Sequence, residues 1–203
     1  MNARLAGILA ASALASSVHA GSAALSVIDQ QNTTGRFGIG GIVGTGVGQS
    51  FTPTLNLLNA AAFQLQVNGS GTATVELQVF DGSGFAGTLL GTSAPIIFSN
   101  TSTRPFEFIF SDPVSLDPGN VYTFCLFETS GSTSYSTLTS QTDPSPYGGG
   151  ITFTALGMPL PGNDVVFAEG LTGPANTVPD SGSTFYLLGL ACAAVTVLRR
   201  QLA

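Results

Sequence analysis

Three glutamates, Glu76, Glu107 and Glu128, are the side chains in this chain best suited to acid–base chemistry. Each falls in a different β-prone run, so a sheet could bring them onto one face, and a pair of carboxyl groups is what glycoside hydrolysis needs. Two of them, however, alternate with apolar neighbours as solvated strand positions do, and Glu128 falls at the predicted end of its run. The pattern favours solvated positions over a catalytic pair.

Other catalytic arrangements are excluded by the residue types that the chain lacks. The chain contains no lysine, and its single histidine, His19, lies in the N-terminal segment 1–20, which is expected to be removed on export. Ser-His-Asp and Cys-His arrangements and lysine nucleophiles therefore cannot be built, and zinc sites of the His/Cys type are unsupported. We expect that the protein is not an enzyme.

Acidic loops offer a different chemistry, the binding of calcium. Asp81 and Ser83 lie in a turn that reads Asp-Gly-Ser-Gly, and Asp112 and Asp117 flank another loop. Their oxygen atoms are hard ligands of the kind that calcium takes, but no glutamate follows Asp81 at the twelfth position of a complete calcium loop. Solvated turns contain the same residue types. Calcium stays an open alternative, and no other cofactor is predicted.

The N-terminal residues 1–20 have the composition of a secretory signal peptide. Arg4 supplies the positive region, residues 5–14 the apolar region, and small residues precede a cleavage point between Ala20 and Gly21. We therefore predict removal by a signal peptidase and export of the remainder.

The C-terminal residues 178–203 combine a polar turn, an apolar run and a basic end. The run from 185 to 198 carries no charge, and Arg199 and Arg200 follow it. Such a run predicts a single transmembrane helix, somewhat short for a bilayer core of about 30 Å. The two arginines would stay on the cytoplasmic side, which places everything before the turn outside.

The polar turn has a specific sequence: Val178, Pro179, Asp180, Ser181 and Gly182. With the apolar run and the basic end, it resembles the C-terminal sorting signals of the PEP-CTERM type, in the variant whose signature is VPDSG. The resemblance implies that an exosortase, a membrane-embedded cysteine protease, recognises the motif and removes the tail. Pro179 agrees with this, because it pushes Val178 toward the extended geometry that proteases bind. In the alternative, an ordinary membrane anchor, Asp180 or Ser181 would merely cap the helix.

The composition of the predicted exported region, residues 21–182, limits its partners. It contains Arg36 and Arg104 against all eleven carboxylates of the chain. Such a surface repels phosphate backbones, so we expect no binding to nucleic acid. Few charges, combined with the 26 glycines and 14 phenylalanines of the whole chain, indicate an extracellular β-protein, because disordered chains are poor in aromatic residues.

Alternation of apolar and polar residues predicts strands throughout this region. The cleanest run is 73–79, in which Val75 and Leu77 are expected core residues. Residues 121–128 are apolar on both faces, which predicts a central strand with Cys125 as a buried structural thiol. The glycine-rich segment 35–48 predicts an irregular or edge segment. Further strands are expected at 24–28, 49–52, 63–67, 88–92, 96–99, 106–110, 134–137, 151–154 and 165–168.

These short strands and their turns predict an all-β fold, an antiparallel β-sandwich with jelly-roll-like connections. Residues 49–51, 77–93 and 110–124 also loosely resemble sandwich modules of bacterial surface proteins. The predicted organisation is a signal peptide (1–20), a sandwich ectodomain (21–170), a linker (171–177) and the sorting signal with its transmembrane helix (178–203).

The function expected from these features is that of a non-catalytic exported protein of the cell surface or extracellular matrix. It would be anchored in the membrane as a precursor and processed at the tail by an exosortase-like enzyme. A carbohydrate-binding module, with exopolysaccharide as the partner, is the alternative. Sugar faces are usually rich in exposed aromatic residues, and this region offers no tryptophan and three tyrosines, Tyr122, Tyr135 and Tyr147. A secreted hydrolase is the third reading.

Overall fold

The computed structural model describes residues 25–141 and 147–173, and it folds them into strands without an α-helix. The described residues contain no helix with the length and apolarity needed to cross a membrane. The strands are β1 (Leu25–Asn32), β2 (Phe37–Gly41), β3 (Gly46–Phe51), β4 (Leu57–Val67), β5 (Ala73–Asp81), β6 (Leu89–Thr92), β7 (Ile96–Phe98), β8 (Arg104–Ser115), β9 (Tyr122–Gly131), β10 (Tyr135–Gln141), β11 (Thr152–Phe153), β12 (Pro159–Leu160), β13 (Asn163–Val165) and β14 (Phe167–Thr172).

Several predicted features lie outside the described residues. They are the signal peptide with its cleavage point at Ala20 and Gly21, the motif Val178, Pro179, Asp180, Ser181 and Gly182, the transmembrane helix, and the basic end Arg199 and Arg200.

The strands form two antiparallel sheets of seven strands each. The first sheet has the order β1-β14-β4-β10-β13, with β8 paired to β4 and β2 paired to β10. The second sheet has the order β12-β11-β3-β9-β5-β6, with β7 also paired to β5. The chain crosses between the sheets at most of its connections, as jelly-roll-like folds do. The predicted all-β antiparallel sandwich is confirmed.

Aromatic rings from both sheets meet in the core. Phe124 of the second sheet stacks on Phe51 with ring centroids 4.0 Å apart, and it meets Phe63 of the first sheet edge-on at 5.6 Å. Phe167 completes the group, 6.2 Å from Phe63. Such stacked and edge-on pairs are favourable beyond the apolar area that they bury.

Strict alternation places one face of each central strand in this core. In β5, Val75 and Leu77 are fully buried, while their neighbours Glu76 and Gln78 are half-buried on the outer face. This confirms the prediction for the run 73–79. A tight turn precedes β9: the Asn120 amide donates to the Asp117 carbonyl at 3.1 Å, and Gly119 has a φ of 85°, as a type II turn requires.

The glycine-rich segment differs from its prediction in one half. β2 is an edge strand, paired only with β10 among the described strands, as expected. β3, by contrast, lies between β9 and β11 and is buried at all six residues, so the prediction of an irregular or edge segment is wrong there. Its glycines lie in a central strand because other side chains occupy the space that their own would need.

The last strand is longer than the sequence predicts. β14 continues to Thr172 and pairs with β1, with Thr172 opposite Leu25. Leu171 and Thr172, the first residues of the predicted linker, therefore belong to the first sheet.

Candidate functional site

The three glutamates proposed as an acid–base set do not share a face. Glu76 lies on the outer face of the second sheet, and Glu107, on β8, on the outer face of the first. Glu128 lies on the inner face of β9, in line with the core residues Phe124 and Leu126. The expectation that they could meet on one sheet face is wrong, because alternation and the two-sheet architecture separate them.

Glu128 is also more deeply buried than its sequence context indicates. β9 continues to Gly131, so Glu128 does not end its strand, and its side chain is fully buried with no hydrogen-bond partner for either carboxyl oxygen. Burial raises the pKa of the Glu128 carboxyl, which favours the neutral acid. The sequence feature that indicates the burial of Glu128 is its position two residues after Leu126, on the inward-facing side of the alternation.

A second group of buried acids lies in the first sheet. The Asp164 carboxylate accepts hydrogen bonds from the Tyr147 amide at 2.8 Å and the Gln49 side-chain amide at 3.1 Å. Burial raises the pKa of Asp164, and these two bonds act against that rise. The network connects β3 of the second sheet with β13 of the first, so it serves to hold the sheets together.

Glu169 and Asp29 form a carboxyl pair between β14 and β1. Glu169 is 1% exposed, and burial, followed by the nearby Asp29, raises the pKa of its carboxyl to about 8. Asp29 is itself affected by burial, but hydrogen bonds from Thr54 and Leu55, whose amides lie 2.7 and 3.0 Å from its carboxylate, hold its pKa below the usual value. The pair is therefore stable with Glu169 protonated and Asp29 charged.

The calcium candidates are spread over separate elements. Asp81 ends β5, Asp112 lies on β8, and Asp117 begins the turn before β9. The turn after Asp81 is organised by Thr123, whose hydroxyl donates to the Gly82 carbonyl at 2.7 Å and accepts from the Gly84 amide at 2.8 Å. Among the described residues no three His, Cys, Asp or Glu side chains are grouped as a metal site would be. Calcium binding by Asp81 and Ser83, or by Asp112 and Asp117, stays a prediction.

An open groove of about 630 Å³ lies on the outer face of the second sheet, hereafter the groove. Its floor is formed by β3, β9 and β5, where Cys125 is paired on one side with Gly48 and on the other with Gln78. Its lining residues are Gly44, Thr45, Gly46, Gln78, Phe80, Ser83, Gly84, Phe85, Ala86, Cys125, Phe127, Phe153, Ala155, Leu156 and Gly157. Segments far apart in sequence thus converge on one site.

Two glycines of β3 make the groove possible. A β-carbon on Gly48 would lie 2.5 Å from the Phe85 ring, and one on Gly46 would lie 2.5 Å from the Cys125 sulfur. Real β-carbons do not approach other atoms so closely, so both positions need glycine. The loop after β5 can therefore place Phe85 directly on the sheet.

Phenylalanine rings form the walls of the groove. Phe85 lies 6.0 Å from Phe80 and 5.7 Å from Phe153 between ring centroids, and Leu156, at the rim, is 80% exposed. Polar groups come from Gln78, whose side-chain amide donates to the Glu76 carboxylate at 2.8 Å. The groove therefore combines exposed apolar surface with a small number of oriented polar groups, as ligand sites do.

Cys125 in the floor is a structural thiol, as predicted. It is a free cysteine, it is buried, and burial followed by the charge of Glu76 raises its pKa to about 12. A thiol that stays protonated is a poor nucleophile.

The tyrosines do not contribute an exposed aromatic surface. Tyr122, Tyr135 and Tyr147 are all buried, and the Tyr122 hydroxyl accepts a hydrogen bond from the Asp117 amide at 2.8 Å. Tyr147 packs edge-on against Phe167 with centroids 5.1 Å apart. Partly exposed phenylalanine rings lie instead in the groove, at positions that the sequence does not single out.

Comparison with known proteins bears on the tail. Residues 177–202 match the VPDSG-CTERM motif. The chain carries a VPDSG-CTERM sorting signal. The match contains the five residues of the predicted turn together with the apolar run and both arginines, so the resemblance inferred from those residues is confirmed.

The VPDSG-CTERM signal has consequences for the whole chain. It implies an exported protein, a membrane-anchored precursor and processing by an exosortase-like enzyme. The comparison with curated proteins found no match to the chain. The groove and the VPDSG-CTERM signal are thus the two features from which a function can be argued.

Proposed function

We propose that this is a non-catalytic protein of the cell surface or extracellular matrix, whose β-sandwich is displayed outside the cell. A signal peptidase would remove residues 1–20, the C-terminal helix would hold the precursor in the membrane, and an exosortase-like enzyme would cut at the motif. The observation that carries the proposal is the VPDSG-CTERM match at residues 177–202.

The distribution of acids supports a non-catalytic role. Glu76, Glu107 and Glu128 lie on three different faces, so no two of them flank a common ligand as the carboxyl pair of a glycoside hydrolase does. The buried acids Asp164 and Glu169 lie in the first sheet, away from the groove. The proposal needs no cofactor, and calcium would at most stiffen the turn at Asp81.

Carbohydrate binding is the second candidate, and the groove is the observation that favours it. Aromatic rings and an amide–carboxylate pair at an open surface are a suitable lining for a sugar. In this reading the protein would attach exopolysaccharide to the surface or to the matrix.

The test is the location and the termini of the mature protein. We expect mass spectrometry of protein from the cell surface and medium to find a chain that begins at Gly21 and ends near the motif. A protein that retains residues 178–203 at steady state and stays in the membrane would contradict the sorting proposal. Retention of residues upstream of Gly21 would contradict the predicted cleavage point.

A further inference from the structure

We propose that the groove binds an uncharged pyranose unit of a polysaccharide, with the phenylalanine walls packing on the C–H face of the sugar and Gln78 and Glu76 binding its hydroxyls. The inference rests on the proposed function, because a polysaccharide ligand requires a displayed sandwich. It adds the site and the class of sugar.

The size and openness of the groove suit part of a long polymer. Its volume of about 630 Å³ lies within the range of roughly 300–1,000 Å³ that is typical of ligand sites. The exposed rim residue Leu156 and the turn at Gly44 and Thr45 bound a groove that is open to solvent, so a chain can enter without a lid. A lipid tail, by contrast, would need an enclosed apolar cavity to leave water completely.

The apolar part of the lining fits the C–H face of a sugar ring. Phe80, Phe85 and Phe127 are only partly buried in the protein alone, so their rings have surface left to cover. Aromatic rings carry a negative face that attracts C–H groups, and covering them removes apolar area from water.

The polar part of the lining fits hydroxyl groups. A sugar hydroxyl both donates and accepts, and the Gln78 amide and the Glu76 carboxylate together supply both functions. Their mutual hydrogen bond of 2.8 Å fixes the two side chains before a ligand arrives, which lowers the entropy lost on binding.

The charges around the groove favour neutral polysaccharides over acidic ones. Among the described residues that line the groove none is basic, and the lining residue Gln78 is hydrogen-bonded to the Glu76 carboxylate. The two arginines of the described ranges, Arg36 and Arg104, belong to the first sheet, where Arg36 precedes β2 and Arg104 begins β8. An anionic sugar would therefore meet repulsion without a counter-charge, and so would a phosphate group. The groove selects neutral sugars.

The experiment is a calorimetric titration in which oligosaccharides are added to the purified full-length chain in a zwitterionic, sugar-free detergent. The probes are the neutral oligomers cellohexaose, xylohexaose and mannohexaose, with hexagalacturonate as the acidic counterpart. We expect saturable binding of at least one neutral oligomer and none of hexagalacturonate. Gln78→Ala should weaken binding roughly ten-fold by removing an oriented amide, and Leu156→Ser should weaken it about three-fold or more.

The matched control is Ile97→Ser, which changes an apolar residue of similar exposure, 71%, on β7 of the same sheet. Its affinity should equal that of the wild type. Failure of every neutral oligomer to bind, equal binding of hexagalacturonate, or unchanged affinity in both groove variants would overturn the inference. Export and tail removal are followed in the same variants: normal processing without sugar binding rejects only the groove proposal, whereas a wild-type chain that is not exported rejects the proposed function itself.

Discussion

Phe85 lies on Gly48, in the space where the side chain of any larger residue would have to go. A β-carbon built on Gly48 would be 2.5 Å from the Phe85 ring and 2.3 Å from the Phe124 carbonyl oxygen. The loop after β5 and the central strand β3 are thereby joined at one point, and that contact forms one side of the groove.

The first prediction is that Gly48→Ala destabilises the protein. The added methyl group meets a backbone oxygen that cannot move without disturbing the pairing of β3 with β9, and overpacking of this kind typically costs about 1–3 kcal/mol. The free energy of unfolding by denaturant measures it. The matched control is Gly148→Ala, because nothing lies within 4 Å of a β-carbon there. Equal stability of the two variants would show that the contact with Phe85 is not tight.

The second prediction concerns the core contribution of β5. Leu77 is fully buried, so Leu77→Ala removes apolar contacts and leaves a cavity, which should cost about 2–5 kcal/mol. Denaturant unfolding of the variant gives the value. A loss below about 0.5 kcal/mol, the range of ordinary surface changes such as Ile97→Ala, would be incompatible with the core position of Leu77.

These two positions show what the sequence could and could not predict. Leu77 lies in a run whose alternation is complete, and such periodicity reports burial directly. Gly48 lies in a glycine-rich run, and such runs have a low propensity for central strands. Its burial depends on Phe85, which lies in a loop distant in sequence. Local patterns carry no record of such long-range contacts, so the sequence predicts an irregular or edge segment where β3 is a central strand.

The same limit applies to the sites. The sorting motif is contiguous, so five letters and the run after them sufficed to recognise it. The groove is assembled from four separate segments around Gly46, Gln78 to Ala86, Cys125 and Phe153, and only the fold brings them together. Glu128 and Glu169 look like solvated residues in sequence because polarity predicts exposure, whereas their inward positions in β9 and β14 bury them.

The third prediction is that stability falls as pH rises between about 4.5 and 8. The Glu169 carboxyl has an ordinary pKa of 4.5, and burial and Asp29 raise it to about 8 in the folded protein. The folded state therefore holds a proton that the unfolded state has lost in this interval, so the stabilisation is complete below the lower value and gone above the higher one. The loss should be on the order of a few kcal/mol, since one pKa unit corresponds to about 1.4 kcal/mol.

Glu169→Gln is the variant that tests the cause. The amide keeps the shape of the protonated acid and cannot ionise, so the dependence of the melting temperature on pH should flatten between about pH 5 and pH 8.5. Ionisation of Asp29 does not contribute to the pH dependence in this interval, because its lowered pKa affects stability only at more acidic pH. An unchanged slope in Glu169→Gln would assign the pH dependence to other buried acids, of which Glu128 and Asp164 are the candidates.

The last prediction concerns the sorting signal, in which membrane insertion and processing depend on different residues. In the proposed sorting, insertion would depend on the apolar run 185–198 and on Arg199 and Arg200, whereas recognition would depend on the turn that precedes them. The double variant Pro179→Ala and Asp180→Ala should therefore insert normally but accumulate as a full-length membrane-bound form, because the extended geometry before proline and the acidic group are lost. Electrophoresis of membrane and medium fractions measures the ratio of the two forms.

Pro174→Ala with Asn176→Ala is the matched control, since both residues precede the matched segment 177–202, and it should be processed like the wild type. In an ordinary membrane anchor the double variant alters only a helix cap, worth about 1 kcal/mol, so product size would not change. Identical migration of wild type and double variant, with both in the membrane, would therefore mean that the turn caps a permanent anchor and is not cut.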